Sequence, residues 1–566
     1  MQSFNIKIGG SAGEGIKSSG LILARAFTRM GYSVFGYSEY PSLIRGGHNT
    51  YQLNVGIEEV FSQVKELDIL IALNQETITL HQDELTTDSL VLYNPDHFEL
   101  PKGKLKGKYL PIAFTKLAEE SGGKAIMANI VSLASALALL ELPIESLKQA
   151  IAKEFADKPK EITALNHSAA KAGEKYILEN CKKFIRPVLR PKTKKKQMLL
   201  TGNEAAALGA IAGGLQFYSS YPMTPATSII HYLAGKAKQT GIFVKHVEDE
   251  ISAVNMAIGA SYAGVRSMAS TSGGGLCLMA EGLGLAGISE TPLVVIDSMR
   301  PGPGGGMPTW SGQGDLKFAI NISNDESPRI VLAPGDGQEC FDLAKLALEL
   351  AEKYQTLVII LLDKHLSEGD FCVPPFPSMH QNKRYGFVSK LNGKADASFK
   401  RYTLTKDGIS LRPKLGQSGG VHVNNSYEHD EFGFATEDGD MRVKMADKRM
   451  KKMKLFEKEI MPQQIFGNKK AKKGIISFGS NKGPILEAMK NMPDVKFMHL
   501  NFVWPFPTAQ VKKFTDSVDE IYCLECNATG QLASLIKENV GITPKKVLKY
   551  DGRPFYPGEI KIRIHE

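Results

Sequence analysis

The chain has 566 residues, too many for one hydrophobic core, so several domains are expected. Its 43% hydrophobic and 23% charged residues are ordinary values for a soluble globular protein. The net charge of +9 is unevenly spread, because residues 182–196 (KKFIRPVLRPKTKKK) hold eight basic residues and no acidic one. This Pro-broken run lies between two folded regions, so it predicts a solvated linker and not a nucleic-acid-binding face.

Cysteine usage and hydropathy indicate a cytoplasmic protein with no membrane segment. Six cysteines in a chain of this length do not form a disulfide framework. The N-terminus, MQSFNIKIGG, lacks the apolar core of a signal peptide and predicts a strand. The most apolar helical run, residues 128–142, is too short to span a bilayer and ends at Pro143.

Strand and helix patterns alternate along most of the chain, which predicts a multidomain α/β protein. Residues 1 to about 180 contain the strand FNIKI, a Gly-rich turn and a helix, and they predict a largely parallel sheet. A second alternating region, 199–375, includes SMAST, TPLVVIDS and LVIILLD. Residues 376–470 are rich in charge and glycine and predict an irregular connecting segment, and from Gly474 a small third α/β domain follows.

The turn GGSAGEG follows a strand and opens a helix, a place where backbone N–H groups suit a phosphate. Glu39 lies near the end of the next strand, where dinucleotide-binding folds carry an acidic residue. However, Gly10, Gly13 and Gly15 run G-x-x-G-x-G, which is not the dinucleotide spacing, and a structural role explains them equally well. Arg45, beside two glycines in RGGH, suits an approaching anion or is an exposed turn residue.

Two short motifs resemble cofactor sites but have structural explanations. GDG at residues 335–337 leads directly into a helix and lacks the paired asparagines of a diphosphate site, so Asp336 is interpreted as part of the turn before that helix. CLEC at residues 523–526 has redox or zinc spacing. No second pair accompanies it, and it ends a strand, so a structural role is favoured.

Three residues lie where catalytic groups gather in α/β proteins. Thr224, in YSSYPMTPATS, predicts a helix N-cap followed by Pro225, and the same turn suits an anionic substrate. Glu250 lies just before or within the start of a helix of small and apolar residues. Arg300 ends an apolar strand, at the edge where ligands bind in open sheets, and arginine binds carboxylates bidentately.

Taken in order, these stretches resemble the 2-oxoacid:ferredoxin oxidoreductases, specifically an α subunit with a fused N-terminal γ domain. GGSAGEGI, RGGH and ANIVSLASALALLEL resemble the γ domain, and GNEAAALGAIAGGLQFYSSYPMTPAT resembles the start of the α subunit, with Met223 in place of the usual Ile. STSGGGLCLMAEGLGLA, SETPLVVIDSMRPGPGGGMPT, QGDL and SYEHDEFG continue the resemblance. GSNKGPILEA, NFVWPFP and ECNATGQLASLI complete it.

The resemblance implies five segments along the chain. These are a γ-type, CoA-side α/β domain at 1–181, a basic linker at 182–198 and a pyrimidine-binding-type thiamine diphosphate domain at 199–375. An irregular connecting segment at 376–470 and a transketolase C-terminal-like domain at 471–566 follow.

The resemblance also implies the reaction, the cofactors and the partners. A 2-oxoacid, with 2-oxoglutarate favoured, would be oxidatively decarboxylated with CoA to acyl-CoA and CO₂ while ferredoxin is reduced. Thiamine diphosphate would be shared with a separate β subunit that carries Mg²⁺ and a [4Fe–4S] cluster, in an (αβ)₂ heterotetramer. No metal is expected on this chain.

Residue by residue, the resemblance implies a site centred on three side chains. Glu250 would contact the aminopyrimidine, while Thr224 and Arg300 would bind the 2-oxocarboxylate. Tyr221 and Pro222 would lie beside the cofactor, and Gly10, Gly13, Gly15 and Arg45 on the CoA side.

Other functions remain open from the sequence. Pyruvate, branched-chain and broad-range 2-oxoacid enzymes are alternatives within the family. An NAD-linked dehydrogenase built on GGSAGEG and a non-catalytic binding or scaffold protein with a degenerate thiamine fold are alternatives of different classes.

Overall fold

A computed structural model describes residues 2–43, 46–192, 196–377, 382–391 and 399–565. The chain divides into two compact units. The first contains Met1–Leu200, Glu368–Phe376 and Tyr556–Glu566, and the second contains Thr201–Ser367 and Pro377–Phe555. Both units alternate helices with sheet strands, so the predicted multidomain α/β class is confirmed.

The first unit is built on an eight-stranded sheet with the order β6-β5-β4-β1-β3-β2-β14-β7. Its strands are β1 (Ser3–Ser11), β2 (Ser33–Glu39), β3 (His48–Gly56), β4 (Leu67–Ala72), β5 (Leu85–Tyr93), β6 (Lys108–Pro111), β7 (Met198–Thr201) and β14 (Asp370–Val373). Its helices are α1 (Ile16–Met30), α2 (Gln75–Leu80), α3 (Phe114–Glu120), α4 (Ala128–Leu139), α5 (Glu145–Glu154), α6 (Lys160–Asn180) and α18 (Pro557–His565).

This sheet is mixed, so the prediction of a largely parallel sheet was only half right. Strands β1, β4, β5 and β6 are parallel to one another, whereas β3 is antiparallel to both β1 and β2. Only eight residues connect β2 to β3, and a connection this short can join only antiparallel neighbours. Strand β3 also separates β2, which ends at Glu39, from β1, whereas a dinucleotide fold places these two strands side by side.

Part of the basic linker packs onto the first unit. The prediction of a solvated linker did not include this packing. Val188 is buried in the core, and the backbone N–H of Arg186 donates to the carbonyl oxygen of Leu139 at 2.7 Å. Val188 therefore holds the linker against the unit, while the described lysines of the linker are exposed, at positions 182, 183, 192 and 196.

The second unit contains two sheets. The helices are α7 (Gly202–Ala212), α8 (Thr227–Thr240), α9 (Glu250–Tyr262), α10 (Gly273–Ile288), α11 (Leu316–Asn321), α12 (Gly337–Tyr354), α13 (Lys364–Glu368), α14 (Gly439–Glu457), α15 (Lys482–Met489), α16 (Thr508–Thr515) and α17 (Gln531–Val540). The strands are β8 (Phe217–Ser220), β9 (Phe243–His246), β10 (Ser267–Thr271), β11 (Leu293–Met299), β12 (Arg329–Leu332), β13 (Leu357–Asp363), β15 (Gln464–Gly467), β16 (Lys473–Ser477), β17 (Val495–His499), β18 (Phe502–Trp504), β19 (Glu520–Glu525) and β20 (Lys545–Leu548).

The larger of these sheets has the order β18-β12-β13-β11-β10-β8-β9 and is parallel except for β18. From β8 the chain passes to β9 on one side and then to β10 on the other. The carboxyl ends of β8 and β10 therefore form a topological switch point, where ligands bind in open α/β sheets. The smaller sheet has the order β15-β17-β16-β19-β20.

The structure agrees with the structural interpretations of the GDG and CLEC motifs. Asp336 is the N-cap of α12, and its Oδ1 accepts the N–H of Glu339 at 2.8 Å. Cys523 lies in β19 and Cys526 follows that strand; both are buried free thiols whose pKa is raised well above the usual range by burial.

In the described part of the chain, no single helix has the length and hydropathy to cross a membrane. One pair of helical segments, Phe114–Glu120 and Ala125–Leu139, meets the length and composition test together but is bent by 117°.

Candidate functional site

Three of the predicted residues lie near the carboxyl edge of the larger sheet in the second unit. Thr224 follows β8, Glu250 is the first residue of α9, and Arg300 follows β11. Helix α10 begins at the same edge, directly after β10, with the run Gly273–Gly274–Gly275. The switch point thus brings together side chains that are far apart in the sequence.

Arg300 is anchored to the turn that holds Thr224. Its Nη1 donates to the carbonyl oxygen of Thr224 at 2.7 Å, while its Nε is buried without a hydrogen-bond acceptor in the described residues. Burial lowers the pKa of Arg300, and the negative charges of nearby carboxylates oppose that shift. A guanidinium held on one side with N–H groups still free can bind a carboxylate on the other side.

Thr224 is half-buried but does not cap a helix, so that part of its prediction was wrong. Residues 224–226 form a turn, and α8 begins only at Thr227, with Ala226 at the N-cap and no side-chain capping bond. Thr224 contributes its backbone carbonyl to Arg300, which leaves its hydroxyl available to a ligand.

Glu250 is a buried carboxyl group, with 3% of its surface exposed. Asp249 is the N-cap of α9, and its Oδ1 accepts the N–H of Ser252 at 2.7 Å. The side chain of Glu250 is therefore not needed to cap the helix. Its Oε1 is buried and makes no hydrogen bond with any described group. Burial raises the pKa of Glu250 above its usual range, Asp249 reinforces this, and its own backbone N–H and Arg300 oppose it.

Gly275 makes room for this carboxyl group. A Cβ at position 275 would lie 2.6 Å from Oε1 of Glu250 and 2.0 Å from Oγ1 of Thr271. Thr271 in turn lies 4.0 Å from Sδ of Met223, in the segment that leads to Thr224. The glycine is therefore required by the position of the carboxylate, a requirement that the sequence did not reveal.

Two further acids, Asp297 and Asp315, lie beside Arg300 and were not predicted as site residues. Asp297 is fully buried on β11 and faces the carboxyl group of Asp315, with the backbone N–H of Gly273 beside it. Burial raises the pKa of Asp315 to about 6, and burial and Asp315 together raise that of Asp297 well above its usual range. Facing carboxyl groups repel when both are ionised, so full ionisation of this pair is disfavoured. The one available sequence signal was a charged residue inside an apolar strand.

Tyr221 and Pro222 are the predicted residues that would lie beside the cofactor. Tyr221 is exposed and Pro222 half-buried, both in the segment between β8 and Thr224. Their cofactor contacts stay a prediction.

A separate cavity of about 380 Å³ lies in the first unit at the start of α1. Gly13 and Gly15 line it, with Asn94, His97, Thr115 and Asn129 among the polar residues. Gly10 is not part of the lining. Oε2 of Glu14 accepts the N–H of Ser11 at 2.5 Å, so one of the turn's backbone donors is already used. Arg45 lies outside the described residues.

Within the described residues, no group of three or more His, Cys, Asp or Glu side chains has the geometry to hold a metal ion. The unpartnered Oε1 of Glu250 does fit an organic group with a ring nitrogen, because such a nitrogen supplies the hydrogen-bond partner that the buried carboxyl lacks.

Comparison with known proteins identifies the family of this chain. The family described as "Pyruvate flavodoxin/ferredoxin oxidoreductase, thiamine diP-bdg" matches residues 208–448, and "Pyruvate ferredoxin/flavodoxin oxidoreductase" matches residues 5–176. The chain is 33% identical to 2-oxoacid:ferredoxin oxidoreductase 2, subunit alpha, of Aeropyrum pernix, over 99% of this chain and 97% of the relative. It is 27% identical to 2-oxoglutarate oxidoreductase subunit KorA of Mycobacterium tuberculosis, over 99% and 91%.

A solved structure gives the same result. The 2-oxoglutarate:ferredoxin oxidoreductase from Magnetococcus marinus, with 2-oxoglutarate, coenzyme A and succinyl-CoA bound, superposes with a TM-score of 0.93 at 32% identity. The match covers 100% of this chain and 99% of that one. Sequence and fold thus agree, and the chain belongs to the 2-oxoacid:ferredoxin oxidoreductase family as an alpha subunit, part of a multi-subunit oxidoreductase.

Proposed function

We propose that this chain supplies the substrate-binding and cofactor-activating side chains of an enzyme that converts 2-oxoglutarate and CoA to succinyl-CoA and CO₂, with the electrons passing to ferredoxin. The observation that carries the proposal is the buried carboxyl group of Glu250, whose Oε1 lacks a partner at the same sheet edge as Arg300. The choice of 2-oxoglutarate is supported by the relatives from M. tuberculosis and M. marinus, both named for that substrate.

Arg300 and Thr224 bind the 2-oxocarboxylate in this proposal. The bond from Nη1 of Arg300 to the carbonyl oxygen of Thr224 anchors the guanidinium group, and its Nε keeps an N–H without an acceptor among the described residues. A carboxylate accepts two parallel N–H bonds from such a group, and the Thr224 hydroxyl adds a third donor. In this proposal Asp297 and Asp315 share one proton, which keeps this region from holding an excess of negative charge that would repel the substrate.

Glu250 holds a proton at the aminopyrimidine of thiamine diphosphate. Thiamine diphosphate, when bound, supplies the electron sink that decarboxylation of a 2-oxoacid requires. Burial raises the pKa of Glu250 above its usual range, which favours a carboxyl group that can hold and release a proton, as a general acid–base group must. Gly275 keeps the carboxyl in place, and Asp249 caps the helix so that Glu250 does not have to.

A β subunit completes the site in this proposal, with the diphosphate, Mg²⁺ and a [4Fe–4S] cluster on that subunit, in an (αβ)₂ assembly. The described residues of this chain offer no cluster or metal ligand set. Beside Glu250, helices α9 and α10 expose Ile251, Met256 and Leu278, which are 52%, 42% and 51% exposed. Exposed apolar side chains in one place are typical of a protein interface, and we assign this surface to the β subunit.

The first unit serves CoA in the proposed enzyme, with the cavity at Gly13 and Gly15 as the place for part of that molecule. Gly10 acts indirectly, by leaving space for Glu14. We also propose the five segments 1–181, 182–198, 199–375, 376–470 and 471–566 as the functional divisions of the chain.

The test is an assay of the assembled enzyme, purified with its β subunit, for CoA-dependent reduction of a viologen dye. We expect activity with 2-oxoglutarate and much less with pyruvate or branched-chain 2-oxoacids. Glu250→Gln should lower kcat by roughly 10²- to 10⁴-fold. Glu248→Gln, two residues earlier and exposed, is the matched control and should retain activity. Full activity of the Glu250 variant would contradict its assignment, whereas activity with another 2-oxoacid would contradict only the substrate.

A further inference from the structure

A buried charge network lies away from the proposed active site, and its first centre is Glu352 on α12. Three arginines surround this carboxylate. Arg266 Nη2 lies 2.8 Å, Arg384 Nη2 2.7 Å and Arg412 Nη2 3.4 Å from its oxygens. Burial alone would raise the pKa of Glu352, and the arginines reverse that effect and hold it below its usual range. One negative charge therefore faces three positive ones.

The second centre is Glu290, which is fully buried between α10 and β11. Lys448 and Lys452, both on α14, form ion pairs with its two oxygens. The Nη2 of Arg401 donates to the backbone carbonyl of the same residue at 3.1 Å. Burial lowers the pKa of Lys452 to about 7 in spite of Glu290, partly because Lys448 is so close. Two lysines thus share the one carboxylate of Glu290, and Arg401 binds the backbone of the same residue.

The two centres meet at Arg401 and Arg412, which line one cavity of about 450 Å³. Both side chains are more than nine-tenths buried, at 4% and 5% exposed. Each retains one N–H group without an acceptor in the described residues, Nη1 of Arg401 and Nε of Arg412. Burial and the nearby charge of Arg401 lower the pKa of Arg412 to about 9. Buried donors left unpaired in a native structure require an explanation, such as a missing ion.

A purely structural ion network would balance its charges, since an unpaired buried charge is strongly destabilising. Here the described residues place five buried cations and the exposed Arg384 around Glu352 and Glu290. The cavity is also lined by residues 413–422, a loop with the sequence PKLGQSGGVH. Gly416 and Gly419 have φ of 80° and 75° in this loop, conformations that expose backbone N–H groups at tight turns.

We propose that this cavity is a binding site for a phosphate monoester, separate from the substrate site. Arginine pairs and glycine-rich turns are the groups that bind phosphate oxygens, and a dianion balances the excess positive charge better than a single carboxylate. Thr291 and Pro292, which line the cavity, precede β11, whereas Arg300 follows it. A strand of seven residues is roughly 23 Å long. The two sites therefore lie at opposite ends of β11.

The first experiment uses inorganic phosphate as the probe, titrated calorimetrically into the full chain at constant ionic strength set with chloride. Ser418 is exposed and lines the cavity, so its charge can be changed without disturbing the buried arginines. We expect Ser418→Glu to weaken phosphate binding and Ser418→Lys to strengthen it, each by roughly threefold to tenfold. Absence of phosphate binding to the parent chain, or equal binding by both variants, would overturn the proposal.

The second experiment tests the arginines against a matched control. Arg401→Gln should abolish phosphate binding, whereas Arg384→Gln, which removes a partner of Glu352 outside the cavity lining, should retain it. In the assembled enzyme, Ser418→Glu should leave the KM for CoA unchanged. A rise in that KM would identify a phosphate of CoA as the occupant and would overturn a separate site.

Discussion

The carboxyl group of Glu250 occupies the space in which a side chain at Gly275 would lie. A Cβ at that position would be 2.6 Å from Oε1, closer than non-bonded heavy atoms approach. Gly275 is the third residue of α10, so the start of one helix determines where the acid at the start of another can lie. The carboxylate of Glu250 can thus occupy this position only because residue 275 has no side chain.

Gly275→Ala should therefore displace Glu250 and remove activity. Because both Glu250 and Thr271 must move, we expect the second unit to lose about 1–3 kcal/mol of stability and kcat to fall on the order of 10²-fold. Gly274→Ala is the matched control, since its Cβ would meet only the carbonyl oxygen of Gly304, at 3.8 Å. Steady-state kinetics and thermal melting measure both effects. Equal kcat values for the two variants would show that the packing of Glu250 does not matter.

Substitution of Arg300 should separate charge from geometry in substrate binding. Arg300→Lys keeps the positive charge but loses the planar pair of donors, and Arg300→Gln loses both. We expect the KM for the 2-oxoacid to rise on the order of tenfold for the lysine variant and a hundredfold for the glutamine variant. The KM for CoA is the internal control and should not change. A fall in kcat with an unchanged KM for the 2-oxoacid would assign Arg300 to catalysis and not to binding.

Local sequence patterns were sufficient to place Glu250 and Arg300. A carboxylate at a helix start and an arginine at a strand end are consequences of a few neighbouring residues, and both positions are confirmed. Asp336 was placed correctly for the same reason, because capping needs only the next three residues. Thr224 was misplaced as a cap because the turn at residues 224–226 delays the helix, and the pattern Thr-Pro does not encode that delay.

Features that join distant segments could not be read from the sequence. The pairing of Asp297 with Asp315 depends on how α11 returns to β11, and the glycine at 275 depends on the packing of α10 against α9. Strand β14 joins the first sheet from residue 370, far from its neighbours in the chain. Such contacts are chosen by tertiary packing, which overrides the local pattern.

The exposed apolar surface on α9 and α10 should be needed for assembly. Leu278→Glu places a charge in the proposed contact with the β subunit, where desolvation without a partner is costly. We expect less β subunit to co-purify with this variant, while the free chain melts at the same temperature as the parent. Ile465→Glu is the control, since Ile465 is 55% exposed on β15, in the other sheet of the unit. Normal co-purification of the Leu278 variant would place the β subunit elsewhere.

The free chain should become more stable when Asp315 is replaced by Asn. Its folded-state pKa of about 6 lies above the usual value for Asp, because burial disfavours the charged form. The folded chain therefore binds more protons than the unfolded chain between about pH 4 and pH 6, so this group's contribution to stability falls as pH rises through that window. Asp315→Asn removes the cost, and its amide can donate to Asp297. We expect a gain on the order of 1 kcal/mol above pH 6 that disappears near pH 4.

Thermal melting of the free chain across this pH range measures the effect of Asp315→Asn. Asp342→Asn, on the exposed face of α12, is the control and should leave the parent curve unchanged. If the two carboxyl groups share a proton, the gain of the Asp315 variant must grow with pH, because ionisation of the second acid is what the parent chain resists. A gain that is the same at pH 4 and pH 7 would mean that Asn improves packing, and would contradict a shared proton beside Arg300.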